Sequence, residues 1–165
     1  MKIRRMQKDD IDTVVQLEKQ IFPDPWSRTS FEYEIFHNSF SIPLILEHLN
    51  EIYGYAIVWK IYEEFHIANF AIRPDQQGKK LGNYFLEKIL ELHDDASYAL
   101  LEVRESNFRA IRLYQKFGFR TIMKRLKYYR NGETALVMQK IFIKSGESQK
   151  PKTLPGKNSD DSQSF

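Results

Sequence analysis

The feature that most constrains the fold is a strand, a helix and a second strand in succession between residues 65 and 104. The apolar runs FHIANFAIRP and YALLEVR have the length and composition of strands. Between them, LGNYFLEKILELH places four apolar residues on one helical face: Leu81, Phe85, Ile89 and Leu92. Strands joined through a helix are usually parallel neighbours. The sequence therefore predicts an α/β sheet with a parallel central pair.

The flanking segments predict antiparallel strands and two more helices. A strand at MKIRRM precedes a helix with apolar residues at positions 11, 14, 15, 17 and 21. A second helix is expected after the N-cap Ser27, with Phe31, Ile35 and Phe36 on one face. Hairpins are predicted near Asn50 and around RNG, the latter joining FRTIMKRLKYY to ETALVMQKIF. The order β α α β β β α β α β β indicates a mixed, mostly antiparallel sheet with helices on both faces.

Composition limits the classes of function. The 25 Lys and Arg residues exceed the 22 Asp and Glu residues by only 3, too few to indicate nucleic-acid binding without a basic face. The absence of cysteine excludes a disulfide, a thiolate zinc site and a cysteine nucleophile. The 4 histidines lack the spacing of metal ligands, so no metal is predicted. With no signal peptide and no membrane-spanning run, a soluble cytoplasmic protein is expected.

The chain is expected to form one domain, residues 1–143, followed by a tail. From Lys144 the composition changes to Ser, Lys, Pro and Gly, and the only large apolar side chains are Leu154 and Phe165. Such a segment buries too little apolar surface to offset the entropy of ordering it. Residues 144–165 are therefore predicted to be disordered.

The loop RPDQQGKKLGNYF connects a predicted strand to a predicted helix. Backbone N–H groups at a helix start have no partner within the helix, and the helix dipole favours negative charge there. Gly78 and Gly82 would let the backbone approach a ligand closely, while Lys79 and Lys80 add positive charge. A phosphate or pyrophosphate site is predicted, with a plain strand-to-helix connection as the alternative.

A carboxylate interrupts the second strand of the parallel pair. Because side chains alternate along a strand, Glu102 shares one face with Tyr98, Leu100 and Arg104. Burial in a central strand is expected to raise the pKa of Glu102 and make it a better general base. A salt bridge, or exposure at the strand end, is the structural alternative.

The following helix is expected to begin at the N-cap Asn107 and to place Tyr114 on its inward stripe. Three basic residues are expected to face outward: Arg109, Arg112 and Lys116. A carboxyl, an amide and a phenol would then meet at the carboxyl edge of the sheet, where open α/β sheets bind ligands.

The blocks FAIRPDQQGKKLG and LLEVRESNFRAIRLYQKFGF resemble the GNAT acetyltransferases, whose loop Q/R-x-x-G-x-G/A precedes a helix that binds the pyrophosphate of acetyl-CoA. Within that superfamily, PWS, LEVR, AIRLYQKFGF and KYYRNGE resemble the bacterial ribosomal-protein alanine N-acetyltransferases of the RimI type, over residues 1–142. Two positions depart from the pattern. Lys80 stands where the signature has its first glycine, and Thr134 replaces an acid.

The resemblance implies Glu102 as base and Tyr114 as acid for acetyl transfer to a protein N-terminus, that of a small-subunit ribosomal protein. It implies contacts to acetyl-CoA from these positions: Phe70, Ala71, Ile72, Gly78, Lys79, Lys80, Leu81, Gly82, Asn83 and Asn107. Aromatic candidates for a peptide groove are Trp26, Tyr33, Tyr128 and Tyr129. A monomer without direct nucleic-acid or membrane binding is expected.

Three alternatives to this function stay open at the level of the sequence. The same chemistry can act on a lysine side chain or on a small-molecule amine. A non-catalytic acyl-CoA sensor would keep the loop but show no turnover. An RNA-binding or ribosome-binding adaptor would use the tail and MKRLKYYR, and its RNA affinity would depend steeply on salt.

Overall fold

The computed structural model describes residues 1–143, so the tail predicted for residues 144–165 lies outside the described residues. The strands are β1 Lys2–Arg5, β2 Ser41–His48, β3 Glu51–Ile61, β4 Glu64–Ile72, β5 Tyr98–Arg104, β6 Arg120–Arg125 and β7 Ala135–Ile141. The helices are α1 Ile11–Ile21, α2 Arg28–Phe36, α3 Leu81–Leu90 and α4 Phe108–Lys116. The predicted order of helices and strands is confirmed.

The seven strands form one sheet in the order β1-β2-β3-β4-β5-β7-β6. β4 and β5 pair in parallel, and the other neighbours are antiparallel. Helices α1 and α2 cover one face through a core that includes Phe31 and Tyr55. Helices α3 and α4 cover the other through a core that includes Phe85 and Tyr114. The predicted mixed α/β fold with helices on both faces is confirmed.

Two residues of the predicted apolar helical faces are exposed because they lie where their helices end. Phe36 is the last residue of α2 and is 53% exposed. Leu92 follows the end of α3 at Leu90 and is 37% exposed. Periodicity alone does not locate the end of a helix, so it does not show which residues of a face are covered there.

The C-terminal hairpin forms, but its connection is longer than the RNG turn predicted. Strand β6 ends at Arg125 and β7 begins at Ala135. In between, the backbone N–H groups of Tyr128 and Tyr129 both donate to the carbonyl of Glu133, at 3.1 and 3.2 Å. The prediction that the strand continues through Tyr129 was therefore wrong. The resulting loop, residues 126–134, lies beside the carboxyl end of β5.

The parallel pair of strands opens at its carboxyl end. Pairing between β4 and β5 runs only from Glu64 opposite Tyr98 to Ile67 opposite Leu101, although both strands continue. The opening begins at a β-bulge, because Ala68 is an extra residue between two successive partners of β3. A bulge bends its strand and increases the local twist. The facing edges of β4 and β5 are therefore not paired with each other beyond this point.

Candidate active site

A cleft of about 590 Å³ lies at the opening between β4 and β5 and extends between the starts of α3 and α4. Of the positions predicted from sequence, the following line it: Trp26, Phe70, Ala71, Ile72, Gly78, Lys80, Gly82, Asn83, Glu102, Asn107, Tyr114 and Tyr129. Four predicted positions do not line it: Tyr33, Lys79, Leu81 and Tyr128. The opening thus gathers residues that are distant in sequence, whereas their individual roles stay predictions.

The loop before α3 has the backbone geometry that its glycine signature requires. Lys80, the N-cap of α3, has φ +63°, in the left-handed region. That region costs a non-glycine residue about 1–2 kcal/mol, so glycine is the unstrained choice there. Lys80 nevertheless adopts this conformation, and its exposed side chain lines the cleft. The departure from the signature therefore adds strain and a positive charge at this end of the cleft.

Three basic residues of α4 border the same end of the cleft. The expectation that Arg109, Arg112 and Lys116 face outward is confirmed: all three are exposed, and they also line the cleft. Arg109 donates to Gln77 Oε1 at 2.8 Å, and Lys116 donates to Asn83 Oδ1 at 3.2 Å, so α4 is linked to the loop and first turn of α3. This end of the cleft has the charge and the helix start to attract an anion.

The predicted helix cap at Asn107 is confirmed. Its Oδ1 accepts a hydrogen bond from the backbone N–H of Ala110 at 3.2 Å, which fixes the start of α4 beside the end of β5. The amide NH2 of Asn107 is not used by the cap. Since Asn107 also lines the cleft, this donor is available to a ligand there.

Glu102 lies on β5 with the partly exposed residues of the alternating pattern, as predicted. The expectation that burial raises its pKa was wrong. A hydrogen bond from His66 Nε2 to Glu102 Oε2 at 3.0 Å outweighs desolvation and lowers the pKa of Glu102. Arg125 lies 3.7 Å from Oε1 and acts in the same direction. Glu102 is therefore ionised at neutral pH and ready to accept a proton.

His66 holds Glu102 from the neighbouring strand. Its Nδ1 lies 3.0 Å from Glu64 Oε1, so the imidazole sits between two carboxylates. Burial opposes its protonation, but hydrogen bonds and charges from Glu102 and Glu64 outweigh burial and raise the pKa of His66. Sequence reasoning missed this residue because it reaches Glu102 only through the parallel register of β4 and β5. The available signal in the sequence was that His66 follows Glu64 by two residues, which places both side chains on one face of the strand.

Tyr114 enters the cleft from the opposite face of the sheet. It is 6% exposed and packs edge-on against Phe70 and Phe119, with ring centroids 6.3 and 5.9 Å apart. Burial raises the pKa of Tyr114, and the charge of Tyr129 adds to this effect. The hydroxyl is therefore a stable donor that does not ionise at neutral pH. Through the opening in the sheet, Glu102 and Tyr114 line one common cleft.

Arg104 ties together the two loops that flank this cleft. It donates to Asp24 Oδ2 at 2.8 Å and to Glu133 Oε2 at 2.7 Å, and its guanidinium lies 3.7 Å from the ring centroid of Tyr129. Hydrogen bonds from Ser106, then from Arg104, lower the pKa of Glu133 to about 2. We call Arg104 and the three residues it contacts, Asp24, Tyr129 and Glu133, the arginine clasp. It fixes the α1–α2 connection against the β6–β7 loop.

The arginine clasp does not use position 134, where the family resemblance predicts an acid. Thr134 stands there, and its backbone carbonyl accepts from the N–H of Glu105 at 3.0 Å. The preceding residue, Glu133, carries the ion pair to Arg104. Sequence reasoning missed the clasp because its members come from three separate segments of the chain.

A buried carboxylate, Glu18, supports the floor of the cleft. It is 1% exposed and accepts from Tyr55 Oη at 2.5 Å, from the Trp26 backbone N–H at 3.0 Å and from Asn69 Nδ2 at 3.0 Å. Burial raises the pKa of Glu18, while these hydrogen bonds act in the opposite direction. Glu18 thereby fixes Trp26 and the strand next to the bulge. The signal for this role in the sequence was an acidic residue within the amphipathic helix α1.

The aromatic candidates for a peptide groove are divided among three places. Trp26 and Tyr129 line the cleft. Tyr33 lines a neighbouring hollow to which Trp26 also contributes. Tyr128 is 49% exposed, and the Arg125 guanidinium lies 5.6 Å from its ring centroid. The substrate-binding role of all four stays a prediction.

Over residues 1–143, no group of three or more His, Asp or Glu side chains is placed to hold a metal ion. Within the same range, none of the helices has the length and apolar character required to cross a membrane.

Comparison with known proteins identifies the family. Residues 11–119 match the model of the acetyltransferase (GNAT) family. A Bacillus subtilis (strain 168) protein, provisionally named [ribosomal protein bS18]-alanine N-acetyltransferase, is 37% identical over 139 residues, which is 82% of this chain and 92% of that protein.

Two solved structures share the fold. The ribosomal-protein-S18-alanine N-acetyltransferase from Escherichia coli has a TM-score of 0.80 and 27% identity, covering 90% of this chain and 98% of that one. Arabidopsis thaliana Naa50, in complex with the bisubstrate analogue CoA-Ac-MVNAL, has a TM-score of 0.72 and 19% identity, covering 86% and 98%. With the family match over the helices and strands that build the cleft, the chain belongs to the GNAT family of acetyltransferases.

Proposed function

We propose that this enzyme transfers the acetyl group of acetyl-CoA to the N-terminal α-amine of a protein, and that its substrate is a ribosomal protein with an N-terminal alanine. The observation that carries this proposal is the common cleft in which an ionised carboxylate, Glu102, and a neutral phenol, Tyr114, approach from opposite faces of the sheet. The names of the Bacillus and Escherichia relatives support the choice of acceptor.

The residues at the positively charged end of the cleft fit acetyl-CoA, which supplies the activated acetyl group when bound. The first backbone N–H groups of α3 suit a pyrophosphate. Arg109, Arg112 and Lys116 add positive charge at the rim of the same end. The edge of β4 at residues 70–72, which β5 leaves unpaired, offers main-chain hydrogen bonds to an extended amide-bearing chain.

Glu102 acts as the general base. An N-terminal α-amine has a pKa near 7.7–8.0 and is partly neutral at pH 7, whereas a lysine amine near 10.4 is almost wholly charged. A carboxylate whose pKa is lowered is a weak base, so it suits the easier of these two deprotonations. The lower pKa of the N-terminal amine, rather than the pKa shift of Glu102, therefore favours this acceptor over a lysine side chain.

Tyr114 acts as the hydrogen-bond donor to the leaving sulfur. Its raised pKa makes full proton transfer to a thiolate unfavourable, because a thiol of pKa about 8.5 is the stronger acid of the two. A fixed donor directed at developing negative charge stabilises the transition state without giving up its proton. The proton that completes the thiol then comes from solvent or through the phenol after bond cleavage.

A panel of peptides tests the proposed function. Peptides with a free N-terminal alanine, with other N-terminal residues, or with an acetyl-blocked N-terminus and an internal lysine are offered with acetyl-CoA. Thiol release and mass spectrometry of the products are measured. We expect acetylation of the free alanine N-terminus and none of the blocked lysine peptide. Acetylation of lysine or of small amines would show that the enzyme acts on another class of acceptor. Acetyl-CoA binding without turnover would contradict an enzymatic role.

The pH dependence of kcat tests the part assigned to His66. In His66→Gln, the hydrogen bond from the imidazole to Glu102 and the charge of the imidazole are lost, so the pKa of Glu102 is higher than in the unmodified enzyme. The ionised form is required, and we therefore expect the acidic limb of the kcat profile to move to higher pH than in the unmodified enzyme. The exposed His37, which follows the end of α2, gives the control variant His37→Gln, which should leave the profile unchanged. Superimposable profiles for His66→Gln and the unmodified enzyme would contradict this part of the mechanism.

A further inference from the structure

A second hollow adjoins the active-site cleft at Trp26, whose indole lines both. It has a volume of about 490 Å³. Its lining comes from the start of α2 and from β3: Trp26, Ser27, Thr29, Ser30, Tyr33, Glu34 and Trp59. None of these residues takes part in the chemistry described above.

Glu34 is the carboxylate of this hollow. It is 6% exposed, and both of its hydrogen bonds fall on Oε2, from Trp59 Nε1 at 2.8 Å and from Asn38 Nδ2 at 3.0 Å. In the part of the chain that the structure describes, no donor bonds to Oε1 and no Lys, Arg or His forms an ion pair with the carboxylate. A buried carboxylate without a cationic partner is costly, so a ligand that supplies the cation would be favoured.

The walls of the hollow suit the same kind of ligand. The aromatic residues Trp26, Tyr33 and Trp59 line it, and Tyr33 is 54% exposed, with its ring centroid 6.1 Å from that of His37. A cation held against aromatic rings is attracted by their quadrupoles, and tryptophan is the strongest partner. No lining residue carries a positive charge that would oppose such a ligand.

We propose that this hollow binds the side chain of a lysine or arginine that follows the N-terminus of the acceptor protein. The proposal rests on the proposed function and names a sequence requirement of the acceptor. The N-terminal amine lies at Glu102, and the cationic side chain lies between the aromatic rings with its charge directed at Glu34 Oε1.

The distance between the two subsites fits a short peptide. His66 lies within hydrogen-bonding distance of Glu102, at 3.0 Å, and its ring centroid is 5.1 Å from that of Trp59. Trp59 in turn donates to Glu34. One imidazole and one indole therefore separate the base Glu102 from Glu34 in the hollow. An extended peptide advances about 3.3–3.6 Å per residue, which places the side chain of the second, third or fourth residue at the hollow.

The test compares peptides that differ in one charge. Alanine-initiated peptides carry arginine, or its neutral isostere citrulline, at position two, three or four, and KM and kcat are measured with saturating acetyl-CoA. At one of these positions we expect citrulline to raise KM about tenfold with little change in kcat. Equal KM values for the arginine and citrulline peptides at all three positions would overturn the proposal.

Variants of the hollow complete the test. In Glu34→Gln, which keeps an acceptor for Trp59, the preference for arginine over citrulline should disappear. Glu32→Gln on the same helix is the matched control, because Glu32 is not part of the hollow and should leave the preference intact. The exposed Tyr33 gives a second variant, Tyr33→Ala, which does not depend on a buried change and should also raise KM for the arginine peptide. An unchanged preference in both Glu34→Gln and Tyr33→Ala would overturn the proposal.

The outcome is separable from that of the proposed function. If the citrulline peptides are acetylated at their N-termini as well as the arginine peptides, only the cationic subsite is wrong. If no peptide N-terminus is acetylated, the proposed function itself fails.

Discussion

Replacing Glu102 by glutamine is expected to lower kcat by about a hundredfold to ten-thousandfold, the usual contribution of a general base. Glutamine keeps the shape of the side chain and can still accept from His66, but it cannot take a proton from the amine. KM for acetyl-CoA should change little, since the proposed cofactor contacts lie on the α3 loop, β4 and α4. Steady-state kinetics of thiol release on an alanine-initiated peptide measure both values.

The partly exposed neighbour Glu105 supplies a matched control. It follows β5, pairs with Lys124 and does not line the cleft. Glu105→Gln should therefore retain the unmodified kcat. A Glu102→Gln enzyme with unmodified kcat across pH 6 to 9 would remove Glu102 from the role of base.

Replacing Tyr114 by phenylalanine is expected to lower kcat by about a hundredfold, as when one donor to developing negative charge is lost. The phenyl ring keeps its edge-on contacts with Phe70 and Phe119, so the core is preserved. The thermal midpoint should consequently remain close to that of the unmodified enzyme, and KM for the peptide should be unaffected. Thiol-release kinetics and a thermal scan of the same preparation measure these values.

Tyr62→Phe is the control for this change, because Tyr62 lies in the turn between β3 and β4, is 94% exposed and does not line the cleft. It should match the unmodified enzyme in kcat. If Tyr114→Phe were as active as Tyr62→Phe, the leaving sulfur would need no phenol, and Tyr114 would lose its role as donor.

Much of the fold follows from short-range patterns in the sequence. Alternation along YALLEVR gave the correct face for Glu102, and helical spacing after Asn107 gave the burial of Tyr114. These patterns depend only on the geometry of a strand or a helix. They were insufficient where an element ended, as at Phe36 and Leu92, because the end depends on tertiary contacts.

The electrostatics of the site could not be predicted in the same way. The pKa of Glu102 depends on which residue of β4 lies beside it, and that pairing depends on the register of two strands separated by a helix. The bulge at Ala68 and the arginine clasp likewise join segments far apart in sequence. Burial alone predicts a raised pKa for Glu102. That direction is wrong, because the hydrogen bond from His66 outweighs burial and lowers the pKa.

The opening between β4 and β5 has a consequence for how such an enzyme can diverge. A ligand that is held through peptide groups of a strand edge is insensitive to which side chains that strand carries, provided the bulge remains. The proposed acceptor contacts, in contrast, are made by side chains of the loops, of α2 and of β3. Homologues can therefore exchange one acceptor for another by changing a few surface residues, while their acyl donor stays the same.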